Sequence, residues 1–150
     1  MDKIDKKILR LLQIDSKKTI KELAEIIGLT QTPVYERIKK LENEGLIKSY
    51  KAVVDREKTG LSLLVFCNVS LHKHQSKIIA QFESDILNFP EVIECYHVTG
   101  MYDYLLKIVI KDMAGYQEFV TKKLASLDTI RKVQSSFVMT EVKESAVLPV

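Results

Sequence analysis

Tryptophan is missing from these 150 residues, and cysteine occurs only twice, proline three times and glycine five times. No stretch is low-complexity, so the chain reads as folded along its length. No apolar run approaches the length that spans a bilayer. The first residues already form an amphipathic, charged helix rather than a secretory leader. A soluble, cytoplasmic protein is expected. Cys67 and Cys95 lie in apolar, strand-like runs. In a reducing cytosol such thiols read as small core residues rather than as a disulfide. Also missing are a phosphate loop, a nucleophile elbow and a paired-carboxylate motif, so an enzyme is not expected. No cofactor is implied. His72-Lys73-His74 would point two imidazoles the same way, but a metal there needs further ligands that cannot be placed. His97 reads as a strand residue at a dimer face.

The chain is long enough for one domain or two small ones. Its net charge of +3 is too small to indicate a nucleic-acid partner, but the charge is unevenly spread. Residues 1–60 hold 14 Lys and Arg against 10 Asp and Glu; the remainder holds 9 against 10. The basic surplus sits wholly in the first part, where phosphate contacts would use it.

That first part is organised around Leu29–Ile47, LTQTPVYERIKKLENEGLI. Val34, Ile38 and Leu41 recur on one helical face, leaving Thr32, Tyr35, Glu36, Lys39 and Lys40 outside. Pro33 falls in the first turn, where its missing N–H is tolerated. Thr30 or Thr32 can supply the N-cap oxygen, and Gly45 reads as the C′ residue. Upstream, residues 1–13 form an amphipathic helix, and Thr19-Ile20-Lys21-Glu22 is a capping box opening a second one. Gly28-Leu29 is a tight turn. Helix, capped helix, turn and helix is the helix-turn-helix arrangement, whose last helix reads DNA. Leu46–Val54 is rich in strand formers and predicts a short strand or wing.

Asp55–Gly60 is a charged junction and the expected boundary between residues 1–60 and 61–150. Beyond it the patterning predicts a strand over 61–72, a helix over 75–88 and strands over 92–99 and 104–110. A helix over 113–127 and a last strand over 130–141 follow. The two middle strands form a hairpin around residues 100–103. This is the β-α-β-β-α-β order of the ferredoxin-like split unit, making the whole an α+β protein. Helices cover one sheet face only. Leu64, Phe66 and Val98 on the other are too apolar to leave in water, which predicts a sheet-to-sheet dimer. Two readers in a dimer suit a palindromic operator. A purely architectural DNA binder is the second alternative, and a dedicated second domain argues against it.

With both halves in view, the chain resembles the Lrp/AsnC (feast/famine, leucine-responsive) family of prokaryotic transcriptional regulators. The matching words are IDKKILRLLQ, LTQTPVYERIKKLENEGLIKSYKAVVD, ECYHVTGMYDYLLKI and FVMTEVKES. The resemblance implies a winged helix-turn-helix joined to a ferredoxin-like (RAM-type) dimerisation domain. It also implies dimers that associate, often into octamers, and an amino acid or related metabolite bound between dimers. A nucleoid-associated location follows. The implied DNA-facing residues are Gln31, Thr32, Tyr35, Glu36, Arg37, Lys39 and Lys40. Arg37 serves either phosphate or a structural ion pair, and Glu36 either a cytosine amino group or a neighbouring Arg or Lys. The implied effector pocket falls on Gly100, Met101, Tyr102, Asp103 and Tyr104, with Ser135 from the last strand. Relatives often carry two hydroxyls on that strand; Val133 stands at the other position here. Asp103 suits an α-ammonium or an Asx-type bond within its own turn.

Overall fold

The computed structural model describes residues 1–144 and 147–150; Ser145 of the FVMTEVKES word lies outside the described residues. The chain divides into two compact units, Met1–Val53 with Val142–Val150, and Val54–Glu141. Among the described residues no helix is long and apolar enough to cross a membrane.

The first unit holds three helices, α1 (Lys3–Ile14), α2 (Ile20–Ile27) and α3 (Gln31–Asn43). Their apolar stripes meet in one core containing Ile8, Leu23, Val34 and Leu41, all essentially inaccessible to solvent. The expected Thr19 capping box is present: the Glu22 N–H donates to Thr19 Oγ1 at 3.2 Å and the Thr19 N–H to Glu22 Oε2 at 2.7 Å. Gly28 ends α2 at φ 84°, a left-handed conformation that favours glycine. The tail residues join this unit. Gln13 exchanges hydrogen bonds with Leu148, Arg10 donates to the Val150 carbonyl, and Val150 packs on the three-helix core. The predicted 61–150 domain therefore gives up its last residues to the helical unit.

The wing is a correction. Residues 46–54 contain no strand; Leu46 and Ile47 instead return their N–H groups to the Leu41 carbonyl. Strand propensity is expressed only where a ladder partner is available, and among the described residues none pairs with this segment.

The second unit is a four-stranded antiparallel sheet, β1 (Leu63–Leu71), β2 (Val92–His97), β3 (Tyr104–Ile110) and β4 (Ile130–Phe137). The order is β2-β3-β1-β4, as the ferredoxin-like reading requires. Helix α4 (Ser76–Leu87) follows β1, and α5 (Met113–Glu118) follows β3. The pairs Val65–Ile108, Cys67–Leu106 and Val69–Tyr104 put one parity of each strand toward the helices. There they pack with Phe82, Ile86, Tyr116, Phe119 and Leu124. The opposite parity, including Phe66, Asn68, Leu105, Tyr96 and Gln134, faces away from that core. Leu64, paired with Val109, is itself buried in the single chain.

Four details differ from the pattern-based expectation. The 113–127 helix is α-helical only to Glu118; Phe119–Lys123 widens into a π turn and Leu124–Ser126 tightens to a 3₁₀ turn. Phe119 and Leu124 are both buried against the sheet, Phe119 at the start of the π turn and Leu124 at its end. The last strand stops at Phe137. Cys95 is a free, exposed thiol, because β2 is an edge strand; only Cys67 is a core residue. His97 lies on the helix side, its ring stacked on Tyr104 at 4.7 Å, rather than on the face proposed for the dimer.

Candidate DNA interface and effector turn

Helix α3 starts without a side-chain cap although Thr30 occupies the N-cap position. An N-cap oxygen accepts from the second or third helical N–H, and the third residue is Pro33, which has none. Its other end is fully closed. Gly45 at φ 71° donates to the Glu42 carbonyl and Leu46 to the Leu41 carbonyl, at 3.0 Å each, the two bonds of a Schellman motif. Val34, Ile38 and Leu41 are buried, while Gln31, Thr32, Tyr35, Glu36, Lys39 and Lys40 are exposed together on the opposite surface.

Arg37 is not part of that exposed group. Its guanidinium lies 2.6 Å from carboxylate oxygens of both Asp2 and Asp5, and the Asp5 side chain is almost wholly buried. Asp2 and Asp5 also form the capping box of α1, so this ion pair ties the reader helix to the first turn of α1. The structural alternative for Arg37 is the one its surroundings favour. The Asp5 backbone N–H, then Arg37, hold the Asp2 carboxyl below its ordinary range. Burial pushes Asp5 upward, but the Asp2 backbone and Arg37 outweigh it and leave Asp5 lowered too. Both folded values lie below the unfolded ones, so their stabilisation is complete above about pH 4. It is lost as pH falls through the folded values. The helical unit is therefore expected to lose stability on acidification below that point, followed by circular dichroism. Arg37→Ala, which removes a cause of both depressions, should shrink the stability lost below that point; an unchanged loss would contradict the linkage.

The other cations of α3 are partly compensated. Lys39 Nζ lies 2.8 Å from Glu42 and 5.8 Å from the Tyr35 ring centroid; Lys40 lies 3.8 Å from Glu44.

In the second unit, the β2–β3 turn carries most of the implied effector residues. Gly100 has φ 130°, and a Cβ placed on it would meet no atom within 4 Å. Met101 is fully displayed, at 85% exposure. Asp103 braces the turn against β1. Its Oδ2 accepts the Leu71 N–H at 2.7 Å, its backbone N–H reaches the Val69 carbonyl at 2.9 Å, and its Oδ1 meets His74 Nε2 at 2.7 Å. Burial raises the Asp103 carboxyl, but the Leu71 N–H and His74 prevail and hold it below its ordinary range. The Leu71 and Val69 bonds reach β1 and the His74 contact reaches the loop after it, so none of them is the Asx-type bond within the turn, the alternative to an ammonium contact.

Tyr104 and Ser135 are not displayed with the turn. Tyr104 is buried beside Phe82, its hydroxyl donating to Glu83 at 2.7 Å. Ser135 is paired with Cys67 on the helix side and hydrogen-bonds Tyr116. The β4 residue that does reach the turn is Gln134, which accepts from the Tyr102 hydroxyl, with Lys132 Nζ 5.8 Å from the Tyr102 ring. Strand alternation held the signal: Lys132 and Gln134 have the opposite parity to Ser135.

The chain matches two known domains. Residues 1–42 match the AsnC-type helix-turn-helix domain, and residues 64–148 the Lrp/AsnC ligand binding domain. The Bkd operon transcriptional regulator of Pseudomonas aeruginosa is 38% identical over 142 residues, covering 95% of this chain and 93% of the relative. The DNA-binding transcriptional activator DecR of Escherichia coli K12 is 37% identical over 150 residues, covering 100% and 99%. Among solved structures, a transcriptional regulator of Neisseria meningitidis in complex with L-Met superposes with a TM-score of 0.96 at 36% identity, covering 99% of this chain and 96% of that one. An AsnC family regulator of Agrobacterium tumefaciens gives 0.95 at 38% identity, covering 99% and 97%. With both domains matched and similarity running the length of the sequence, the chain belongs to the Lrp/AsnC family of transcriptional regulators.

Proposed function

We propose that the protein reads a palindromic operator as a dimer, with Gln31, Thr32, Tyr35 and Glu36 at base edges and Lys39 and Lys40 toward phosphates. Arg37 holds α3 to α1 and is left out of the contact set. The observation that carries this reading is the clean separation of α3 into a buried apolar face and an exposed polar, aromatic and cationic one. Such a helix, held by α2 through a tight turn, suits a major groove.

The same proposal gives the second unit two tasks. The sheet face turned away from α4 and α5 packs against a second copy. The Gly100–Asp103 turn takes an amino-acid-like effector where dimers meet, in assemblies up to octamers. Backbone N–H groups at the exposed tip of the turn suit a carboxylate. Each Asp103 oxygen has one lone pair beyond the bond it already accepts, enough for an ammonium. The Neisseria relative, solved with L-Met, supports an amino acid as the effector class. Gln134 and Lys132 replace Ser135 in the site as proposed. A soluble regulator acting in the cytoplasm, at the nucleoid, fits this role.

Selection of duplexes from a random pool tests the DNA half. The expected consensus is an inverted repeat whose half-sites lie about one helical turn, or a multiple, apart. A consensus without two-fold symmetry, or none, would overturn the dimeric reading.

A further inference from the structure

One carboxylate in the helical unit holds two groups with different attachments. Glu42 Oε2 accepts from Lys39 Nζ at 2.8 Å, one turn back on α3. Glu42 Oε1 accepts from the Tyr50 hydroxyl at 2.9 Å, in the segment that leaves α3 beyond Gly45. Tyr35, Lys39, Glu42 and Tyr50 all line one surface pocket of about 240 Å³, together with Leu12 and Ile20. Lys39, then Tyr50, hold Glu42 below its ordinary range, and Glu42 raises Lys39. Partial burial, then Glu42, push the Tyr50 phenol up to about 12.

We propose that Glu42 is a positioning residue for DNA recognition, holding Lys39 beside Tyr35 with its charge compensated and, through Tyr50, tying that pose to the connector that follows α3. The inference rests on α3 being the reader. A lysine already paired to a carboxylate releases less counterion when it meets a phosphate. Lys39 then adds less to binding of random sequence than an unpaired lysine would, and what it adds depends on Tyr35 being correctly seated. Sequence discrimination gains because the non-specific background stays low. Tyr50 gives the connector a handle on this balance: when Tyr50 leaves, Glu42 keeps only its bond to a flexible lysine.

The test is a salt titration of full-length protein on the selected operator and on a random duplex, with Glu42→Gln, Lys39→Ala, their double variant and Tyr50→Phe. Glu42→Gln should tighten random-duplex binding and steepen its log–log salt slope by up to about 0.9, the value of one freed phosphate contact. It should also narrow the ratio of operator to random affinity. Lys39→Ala should flatten the slope in both backgrounds, but by clearly less in the wild type than in the Glu42→Gln background, a coupling that loss of acidic repulsion alone does not produce. Tyr50→Phe should move the slope in the direction of Glu42→Gln, by less. Equal Lys39→Ala effects in both backgrounds, or an unmoved slope in Glu42→Gln, would overturn the positioning role. Thr32→Ala with Tyr35→Ala separates this from failure of the reader assignment. If that pair still abolishes discrimination, only the Glu42 role falls; if it too leaves binding unchanged, α3 is not the reader and both fall. Circular dichroism melts of each variant exclude a folding explanation, and a melt showing Glu42→Gln unfolded would count against the proposal.

Discussion

Thr32→Ala combined with Tyr35→Ala is expected to weaken binding to the selected operator by about 10²- to 10⁴-fold, the sum of two base contacts at ~1–3 kcal/mol each. Binding to random duplex should stay within a few-fold. The asymmetry follows from where the side chains stand. Both are exposed, Tyr35 at 50%, and point away from the Val34, Ile38 and Leu41 face that holds α3 in its unit. Removing them leaves the core, the Schellman closure and the Arg37 tie intact. Fluorescence anisotropy on the two duplexes at one salt concentration checks this. Parallel loss on both duplexes would assign these residues to phosphate contact, and no loss on either would place the reader elsewhere.

Asp103→Asn is expected to lower affinity for the amino acid by roughly 10- to 10²-fold, the weight of a charge-assisted hydrogen bond. Basal DNA binding should persist. Asparagine is the informative replacement because Asp103 already has a structural duty. Its oxygen accepts the Leu71 N–H, and an amide oxygen can still do so, whereas alanine would free that group. What asparagine cannot supply is the negative charge an ammonium needs. Calorimetry against the amino acids gives the answer. Wild-type affinity in Asp103→Asn would reduce Asp103 to a brace of the turn, and an absence of binding in the wild type would leave the second unit as an assembly module.

The parts of the fold legible in the sequence are those governed by neighbours three or four residues away. Periodic apolar residues placed α1, α2 and α3, the Thr19–Glu22 spacing marked a real capping box, and Gly45 marked a real helix end. Alternation located β1 to β4, and their order gave the ferredoxin-like unit. Failures arose where a distant partner decides. The 46–54 segment has strand composition but no ladder partner among the described residues. Thr30 has cap chemistry, but Pro33 removes a donor it would use. Arg37 lies on the flank of α3, and only the fold of α1 brings Asp2 and Asp5 to it. At the effector turn, Ser135 matched the resemblance by position in the sequence, yet the β1–β4 register turns it toward Cys67 and turns Gln134 toward Tyr102. Register is a long-range property, and shifting parity by one residue exchanges the faces of a strand. His74 was visible as half of a His-Lys-His pair, but its partner, Asp103, comes from the far side of a helix and a strand.

One comparison is decisive: the affinity of the full-length protein for the selected operator and for random duplex at a single salt concentration, with and without the amino acid that binds it. The expected ratio is at least about 10³ in favour of the operator, and the amino acid should change operator affinity by roughly 5- to 150-fold. Equal affinity for the two duplexes, or an operator affinity untouched by an amino acid that saturates the protein, would contradict a sequence-specific regulator under effector control.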